Sequence, residues 1–209
     1  MGKAVAKLGE PLAACTLYLK AAHLAAAADT SSAAANAVSV PGGPIPDTAI
    51  DPLSKLLSTL TKLLQARHID ATTAQRFIGV LPFSAAPVDD DSTDADGQNR
   101  SVGAASGYDP ATGRAFATIR RTLEYMCASD KRRWHHRSVF WLAWMDHWLF
   151  GDSERAKQTL LTLLQMRNTN KQLASFYKTD FEAPGKHYLY LEKYLRLYIA
   201  TLEATQDID

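Results

Sequence analysis

The sequence lacks the residues on which several common kinds of protein depend. It has only two cysteines, Cys15 and Cys127, among 209 residues, too few for a disulfide framework or a four-thiolate zinc site. No apolar run reaches the roughly 18 residues that a membrane-spanning helix needs. The 23 Lys and Arg residues nearly cancel the 22 Asp and Glu residues. Nucleic-acid binding through overall charge is therefore excluded as well.

Sequence motifs of catalysis are missing too. The chain has no glycine-rich phosphate loop and no Gly-x-Ser-x-Gly nucleophile motif. Cys127 and His135 are near each other in sequence, but the signatures that surround a Cys–His nucleophile pair are absent. The sequence therefore predicts no enzyme, no catalytic residue and no cofactor.

The candidate metal ligands are poorly spaced. His135 and His136 are adjacent, so on a helix they point about 100° apart and do not easily share a metal. His147 lies three turns beyond His136, with no third ligand at helical spacing, which favours structural histidines. The acidic stretch 89–96 offers oxygens to a calcium ion, but the glutamate that an EF-hand loop needs at its twelfth position is absent. No metal site is predicted.

The residues that are present indicate an all-α chain. Apolar residues recur at intervals of three and four, and sustained strand-type alternation is missing. Asp51-Pro52 is expected to open one helix with proline at its first position, followed by a leucine stripe. The other predicted helices span 11–28, 71–80, 110–127, 131–149, 153–167, 169–178 and 186–204. Asp70 and Asp109 are expected to begin the helices at 71–80 and 110–127. The expected apolar face of 131–149 consists of Trp134, Phe140, Trp141, Trp144, Trp148 and Phe150. That of 186–204 consists of Tyr190, Leu191, Tyr194, Leu195, Tyr198 and Leu202.

Charge and composition suggest a division into three parts. Residues 1–81 form Ala- and Leu-rich helices, and 82–108 form an acidic linker that we expect to be disordered. Within the linker, 89–100 hold five Asp and one Arg, a net charge of −4. Residues 109–209 are expected to form a helical core that packs with the N-terminal helices as one domain. The start of the chain does not read as a secretory signal, which favours an intracellular protein.

A helical hairpin of the tetratricopeptide kind is predicted after residue 140. The tetratricopeptide repeat has bulky residues in its first helix, a Gly-Asp turn, and a small residue packed between the two helices. Trp144 stands where the repeat usually has a small residue, and an ordinary helical hairpin remains the alternative. The matching residues are Phe140, Ala143, Phe150, Gly151, Asp152, Ala156, Leu160 and Leu164.

A basic run is the strongest candidate for a binding surface. Four of its seven residues are cationic, and they stand at a predicted helix start, where the helix dipole favours acids instead. Such a run can hold phosphate or an acidic peptide, although a solvated face is the alternative. The run consists of Lys131, Arg132, Arg133, Trp134, His135, His136 and Arg137. A second candidate surface, or a simple helix-entry turn, consists of Pro184, Gly185, Lys186 and His187.

A family resemblance extends from about Phe116 to Leu202. The stretches that carry it are 130–137 (Asp-Lys-Arg-Arg-Trp-His-His-Arg), 150–157, 167–171 (Arg-Asn-Thr-Asn-Lys) and 181–188 (Phe-Glu-Ala-Pro-Gly-Lys-His-Tyr). This pattern resembles the histone transcription regulator 3 family of fungi, whose animal relative is the calcineurin-binding protein cabin. The Trp-His-His-Arg and Pro-Gly-Lys-His clusters are specific in combination, and each is weak alone.

The resemblance implies a nuclear, non-enzymatic scaffold of tetratricopeptide-like helices in a HIR-type histone chaperone complex. Such a complex deposits histones independently of DNA replication and regulates histone genes, so the implied partners are other HIR subunits and histones. The alternative function is a nucleic-acid-binding helical module that uses the 131–137 run. Neither function involves a membrane, and self-association of the chain stays open.

Overall fold

The computed structural model describes Gly2 and residues 9–32, 45–81, 107–128, 136–169 and 188–206. Within those residues all regular structure is helical, so the predicted all-α fold of helical hairpins is confirmed. The predicted helix at 169–178 falls almost wholly outside the described ranges, as do residues 82–106 of the predicted linker. The helices are α1 (Pro11–Ser32), α2 (Asp47–Gln65), α3 (Ala71–Gly79), α4 (Pro110–Ala128), α5 (His136–Trp148), α6 (Ser153–Thr169) and α7 (Tyr188–Thr205).

The chain forms two compact units, Met1–Asp130 and Lys131–Asp209. In the first unit α1 packs along α2, and α4 packs on both α2 and α3. In the second unit α6 contacts both α5 and α7. The division of the sequence into 1–81, 82–108 and 109–209 remains a prediction. No helix in the described ranges has the length and apolar character needed to cross a membrane.

The leucine stripe of α2 forms the centre of the first unit. All six predicted positions are buried, which removes a continuous apolar surface from water and supplies most of the stability of such a helix. The stripe comprises Leu53, Leu56, Leu57, Leu60, Leu63 and Leu64.

The start of α2 differs from the sequence prediction. Pro46, not Pro52, stands at the N-terminus of the helix, in an extended conformation, and its carbonyl accepts a hydrogen bond from the Ala49 N–H at 2.9 Å. Pro52 lies inside the helix, where it cannot donate to the preceding turn. Ala49 and Ile50 are buried, so the extra turn gains apolar contacts that offset this missing bond.

Aspartates begin α3 and α4, as the sequence predicts. Asp70 accepts a hydrogen bond from the Thr73 N–H at 2.8 Å, and Asp109 accepts from the Thr112 N–H at 3.0 Å. Hydrogen bonds from Thr73 and Thr112 hold the pKa values of Asp70 and Asp109 below their ordinary range. Both carboxylates therefore satisfy helix N–H groups that would otherwise lack partners.

A tight turn joins α5 to α6 at the position predicted from the tetratricopeptide template. Gly151 has a φ of +69°, in the left-handed region that glycine adopts without steric cost. The Phe150 N–H donates to the Met145 carbonyl at 3.0 Å, which closes the end of α5. Asp152 then caps α6 by accepting from the Arg155 N–H at 3.0 Å. Completely buried Ala143 and Ala156 provide the small residues that close packing of a hairpin requires.

Candidate partner-binding site

The tryptophan-rich face of α5 is more exposed than the sequence predicts. We expected this face, which includes Trp141, Trp144 and Trp148, to be the apolar side of the helix. In the structure the buried side carries aliphatic residues such as Leu142 and Met145, whereas Trp141 and Trp144 are half-buried and Trp148 is 57% exposed. The aliphatic and small side chains allow close helix packing, and the bulky rings are left towards solvent.

The rings of α5 form two groups of neighbouring aromatic side chains. The ring centroids of Trp141 and Trp144 are 5.2 Å apart at a tilted angle. Phe140 meets Trp141 edge-on at 5.8 Å, and His147 meets Trp148 edge-on at 4.4 Å. These geometries are the ones that aromatic pairs prefer, so the rings hold one another in place.

The first turn of α5 is anchored by Tyr194 of α7. The buried Tyr194 hydroxyl donates to the backbone carbonyl of His136 at 2.8 Å. Its ring lies 4.8 Å from the Phe140 ring and 6.2 Å from the His136 ring, measured between centroids. The predicted apolar face of α7 included Tyr194 but not Leu197 or Thr201, which are also buried.

A buried carboxylate secures the other end of α5. Asp146 has no exposed surface, and its Oδ2 atom lies 3.6 Å from the Nε atom of Arg155 on α6. The Asp146 carbonyl also accepts the Asp152 N–H across the turn, at 2.8 Å. Sequence reasoning missed this pair, because an acid nine residues before an arginine is no signal unless the turn between them is known.

Most of the predicted binding residues lie outside the described ranges. This holds for Lys131, Arg132, Arg133, Trp134 and His135 of the basic run. It holds as well for Pro184, Gly185, Lys186 and His187.

Two residues of the basic run are described. Arg137 is half-buried, and the His136 ring is buried beside Tyr194, so His136 has a packing role in this structure. Binding by either surface stays a prediction. Among the described residues, no cluster of three or more potential metal ligands occurs.

The first unit contains a cleft of about 540 Å³ where the end of α2 meets the starts of α3 and α4. Arg67 and Tyr108 contribute to its lining, together with the capping residues Asp70 and Asp109. Both carboxylates already accept hydrogen bonds from the first turns of their own helices.

His147 is expected to make the stability of the second unit depend on pH. Its Nδ1 atom lies 2.9 Å from the Ser153 hydroxyl, and burial lowers the pKa of the imidazole. The folded state therefore binds fewer protons than the unfolded state, whose histidine pKa is about 6.5. The contribution of His147 is present above that value and is lost as the pH falls through the lowered pKa.

The measurement compares the wild-type chain with His147→Gln by urea unfolding at about pH 7.5 and about pH 5. Relative to the variant, the wild type should lose stability at the lower pH. Carboxylates titrate in both proteins and cancel in this difference. An identical difference at the two pH values would contradict the prediction.

The structure defines a class of protein: an all-α domain of paired helices joined by tight turns, with a tetratricopeptide-like hairpin in its second unit. A family model described as "HIR3 TPR domain" matches residues 31–209. The chain therefore belongs to the HIR3 TPR domain family, and the resemblance inferred from its sequence motifs is confirmed.

Curated fungal proteins named "Histone transcription regulator 3 homolog" are similar to this chain. The protein of Yarrowia lipolytica is 38% identical over 88 residues, covering 42% of this chain and 5% of that protein. The Schizosaccharomyces pombe protein is 32% identical over 94 residues, covering 44% and 6%. The Candida albicans protein is 25% identical over 163 residues, covering 78% and 9%.

The chain thus spans 5–9% of the length of these relatives. No solved structure matches it significantly.

Proposed function

We propose that this chain is a non-enzymatic scaffold domain of a HIR-type histone chaperone complex in the nucleus. It supports replication-independent nucleosome assembly and histone gene regulation by holding protein partners, namely other subunits of the complex and histones. The observation that carries this proposal is the family match over residues 31–209, together with relatives named as histone transcription regulators. Helical-repeat domains bind proteins through extended surfaces, which supports the scaffold role.

The proposed contact surfaces are the two that the sequence predicts. The run 131–137 supplies four cations. Residues 131–135 precede α5 in the sequence, and 136 and 137 are its first two residues. The solvent-facing side of α5 is aromatic. Cations and aromatic rings together suit an interface with an acidic protein surface. The second proposed surface is 184–187, immediately before α7.

The test is co-purification of the affinity-tagged chain with co-expressed subunits of a fungal HIR complex, and separately with histones. Capture of a subunit or of histones is expected. Arg132→Glu combined with Arg133→Glu should reduce that capture by about tenfold or more, since charge reversal opposes acidic partners. The matched control, Arg114→Glu combined with Arg121→Glu, changes the same charge on exposed positions of α4 and should leave capture unchanged.

Two results would contradict the proposal in different ways. Failure of the wild-type chain to capture any subunit or histone would contradict the scaffold function itself. Equal capture by both double variants would leave the scaffold function but remove the 131–137 run from the contact.

A nucleic-acid-binding module is the second candidate function, and the same basic run is what favours it. In that case DNA affinity should fall steeply with salt, because counterions are released from phosphates on binding. The double variant Arg132→Glu and Arg133→Glu should no longer bind DNA. A DNA titration without a binding signal at low salt removes this candidate.

A further inference from the structure

We propose that α7 carries a self-association surface through which two copies of this chain form an antiparallel dimer. The apolar part of the surface, here called the outer stripe, consists of Leu195, Ile199 and Leu202. Its charged flank consists of Arg196 and Glu203. The inference does not depend on the scaffold function, because it concerns contacts between identical chains.

The outer stripe is a second apolar face of α7. The first face, which packs inside the second unit, consists of the buried residues Tyr194, Leu197 and Thr201. On the outer stripe Leu195 is 42% exposed, Ile199 is 49% exposed and Leu202 is half-buried. At about 100° per residue, the outer stripe lies about 130° around the helix from the packed face. A helix that buries one face therefore leaves a second apolar stripe in contact with water, as at an interface.

The spacing of the outer stripe is complementary to itself. Ile199 lies at its centre, with Leu195 four residues before it and Leu202 three residues after it. Two copies of α7 can pair antiparallel with Ile199 on the twofold axis. Each Leu195 then lies beside the partner's Leu202, offset by one residue or about 1.5 Å along the helix. The result is three apolar layers, with the two Ile199 side chains in the middle one.

The charges beside the outer stripe are complementary in the same register. Arg196 and Glu203 are seven residues apart, nearly two helical turns, so they lie on the same flank, and both are exposed. An antiparallel twofold pair turns like flanks towards each other. Arg196 is three residues before Ile199 and Glu203 is four residues after it. Each arginine therefore comes level, within about 1.5 Å, with the partner's glutamate, and such pairs select partner and orientation.

The remaining charges of α7 are compatible with this register. Glu192 pairs with Arg196 within its own helix, so the arginine stands between that carboxylate and the partner's Glu203. Lys193 lies about 120° around the helix from Ile199, away from the outer stripe.

Other occupants fit the outer stripe less well. The two acidic and two basic residues of α7 cancel, so the helix offers no excess cation to the phosphates of a nucleic acid. A helix of a different protein can present leucines to the stripe. Nothing in that contact requires opposite charges at matching distances on either side of one central residue, whereas twofold symmetry does.

The first experiment is sedimentation velocity of the full 209-residue chain between about 1 and about 500 μM. One helix from each copy makes an interface smaller than the roughly 1,200 Å² of a standard complex, so a weak dimer is expected. The wild type should convert from monomer to dimer within this range of concentrations.

Charge reversal tests the proposed ion pairs. Arg196→Glu and Glu203→Arg each place like charges opposite one another and should weaken the dimer by about tenfold. The double variant restores opposite charges across the twofold axis and should recover the wild-type dissociation constant. Ile199→Ser should weaken the dimer by about tenfold or more. Its matched control is Leu24→Ser, at a position that is 72% exposed in the first unit, and this variant should dimerise like the wild type. Circular dichroism verifies that every variant is folded.

A disulfide tests the register directly. The two residues at position 199 face each other across the axis, so Ile199→Cys should form a covalent dimer rapidly when diamide oxidises the thiols. Leu24→Cys is the control and should not, because the proposed surface does not include it. The native Cys15 and Cys127 are buried and do not compete for the oxidant in the folded chain.

Four results would overturn the inference. They are a monomer at every concentration, a dimer that Ile199→Ser does not weaken, no recovery in the double charge variant, or equal cross-linking of Leu24→Cys. The scaffold function can fail separately. A wild-type chain that dimerises but captures no HIR subunit or histone retains the self-association surface without the complex. Capture by a chain that never dimerises leaves the scaffold function without this surface.

Discussion

Replacing Tyr194 by alanine is expected to lower the free energy of unfolding of the second unit by about 3–5 kcal/mol. The side chain is buried, and its ring contacts Phe140 while its hydroxyl binds the His136 carbonyl. The substitution removes the ring, leaves a cavity and deprives the buried His136 carbonyl of its hydrogen-bond donor. Each of these effects is unfavourable, and the cavity is the largest.

Tyr194→Phe separates the ring from the hydrogen bond. It keeps the ring and should cost only about 1–3 kcal/mol, the penalty for a buried carbonyl without its donor. The measurement is urea unfolding followed by tryptophan fluorescence, which reports on the second unit because all four tryptophans lie between residues 134 and 148. Equal losses in the two variants would mean that the hydroxyl, not ring packing, dominates at this position.

Arg155→Ala is expected to lower the free energy of unfolding by about 1–3 kcal/mol. Arg155 is itself 49% exposed, but its partner Asp146 is completely buried. Removing the arginine leaves the buried Asp146 carboxylate with one cation fewer to stabilise its charge. The folded state is destabilised because a buried charge without its partner is unfavourable. Asp146 lies in the last turn of α5, and its carbonyl accepts the Asp152 N–H across the turn into α6, so the loss should affect the hairpin as a whole.

The pair formed by Arg196 and Glu192 on α7 provides a matched control. Both of its side chains are largely exposed, with Arg196 at 77%, so Arg196→Ala should cost no more than about 1 kcal/mol. Raising the salt concentration should reduce the contribution of Arg196 and change that of Arg155 much less, because water and ions screen only the exposed pair well. A loss in Arg155→Ala as small and as salt-sensitive as in Arg196→Ala would contradict a special role for the buried carboxylate.

Thiol chemistry gives an independent check on the first unit. Burial raises the pKa of the Cys15 thiol to about 12. Burial, with a smaller effect of the Glu124 charge, raises that of Cys127 to about 12. Both cysteines lie in the first unit, and at neutral pH almost none of either thiol is in the reactive thiolate form. Rapid modification by a thiol reagent therefore signals unfolding of that unit, whereas tryptophan fluorescence signals unfolding of the other.

Local sequence rules predicted most of the described helices well. Asp70 and Asp109 marked helix starts because a carboxylate that caps a helix acts within three residues, a range that is visible in sequence. The leucines of α2 and the Gly151 turn followed from periodicity and backbone preference, which are also local. Pro52 was misplaced because burial of the preceding turn outweighed the local preference of proline for a first position.

The candidate site was only partly predictable. The tryptophan content of α5 predicts buried rings, whereas the structure leaves Trp148 largely exposed. Which side of an all-round apolar helix is buried depends on the shape of its neighbours, and a sequence pattern does not contain that shape. For the same reason the contacts of Tyr194 with His136 and of Asp146 with Arg155 became visible only in the folded chain.

The sequence alone determined the helical class of this protein, the Asp70 and Asp109 caps, the Gly151 turn and the family, since each depends on residue types at short or fixed spacing. Only the tertiary structure decided which face of α5 is exposed. It also decided that the Tyr194 hydroxyl and the Asp146 carboxylate are buried at the two ends of α5. Those outcomes depend on contacts between residues as far apart as His136 and Tyr194, brought together by packing and not by any local preference.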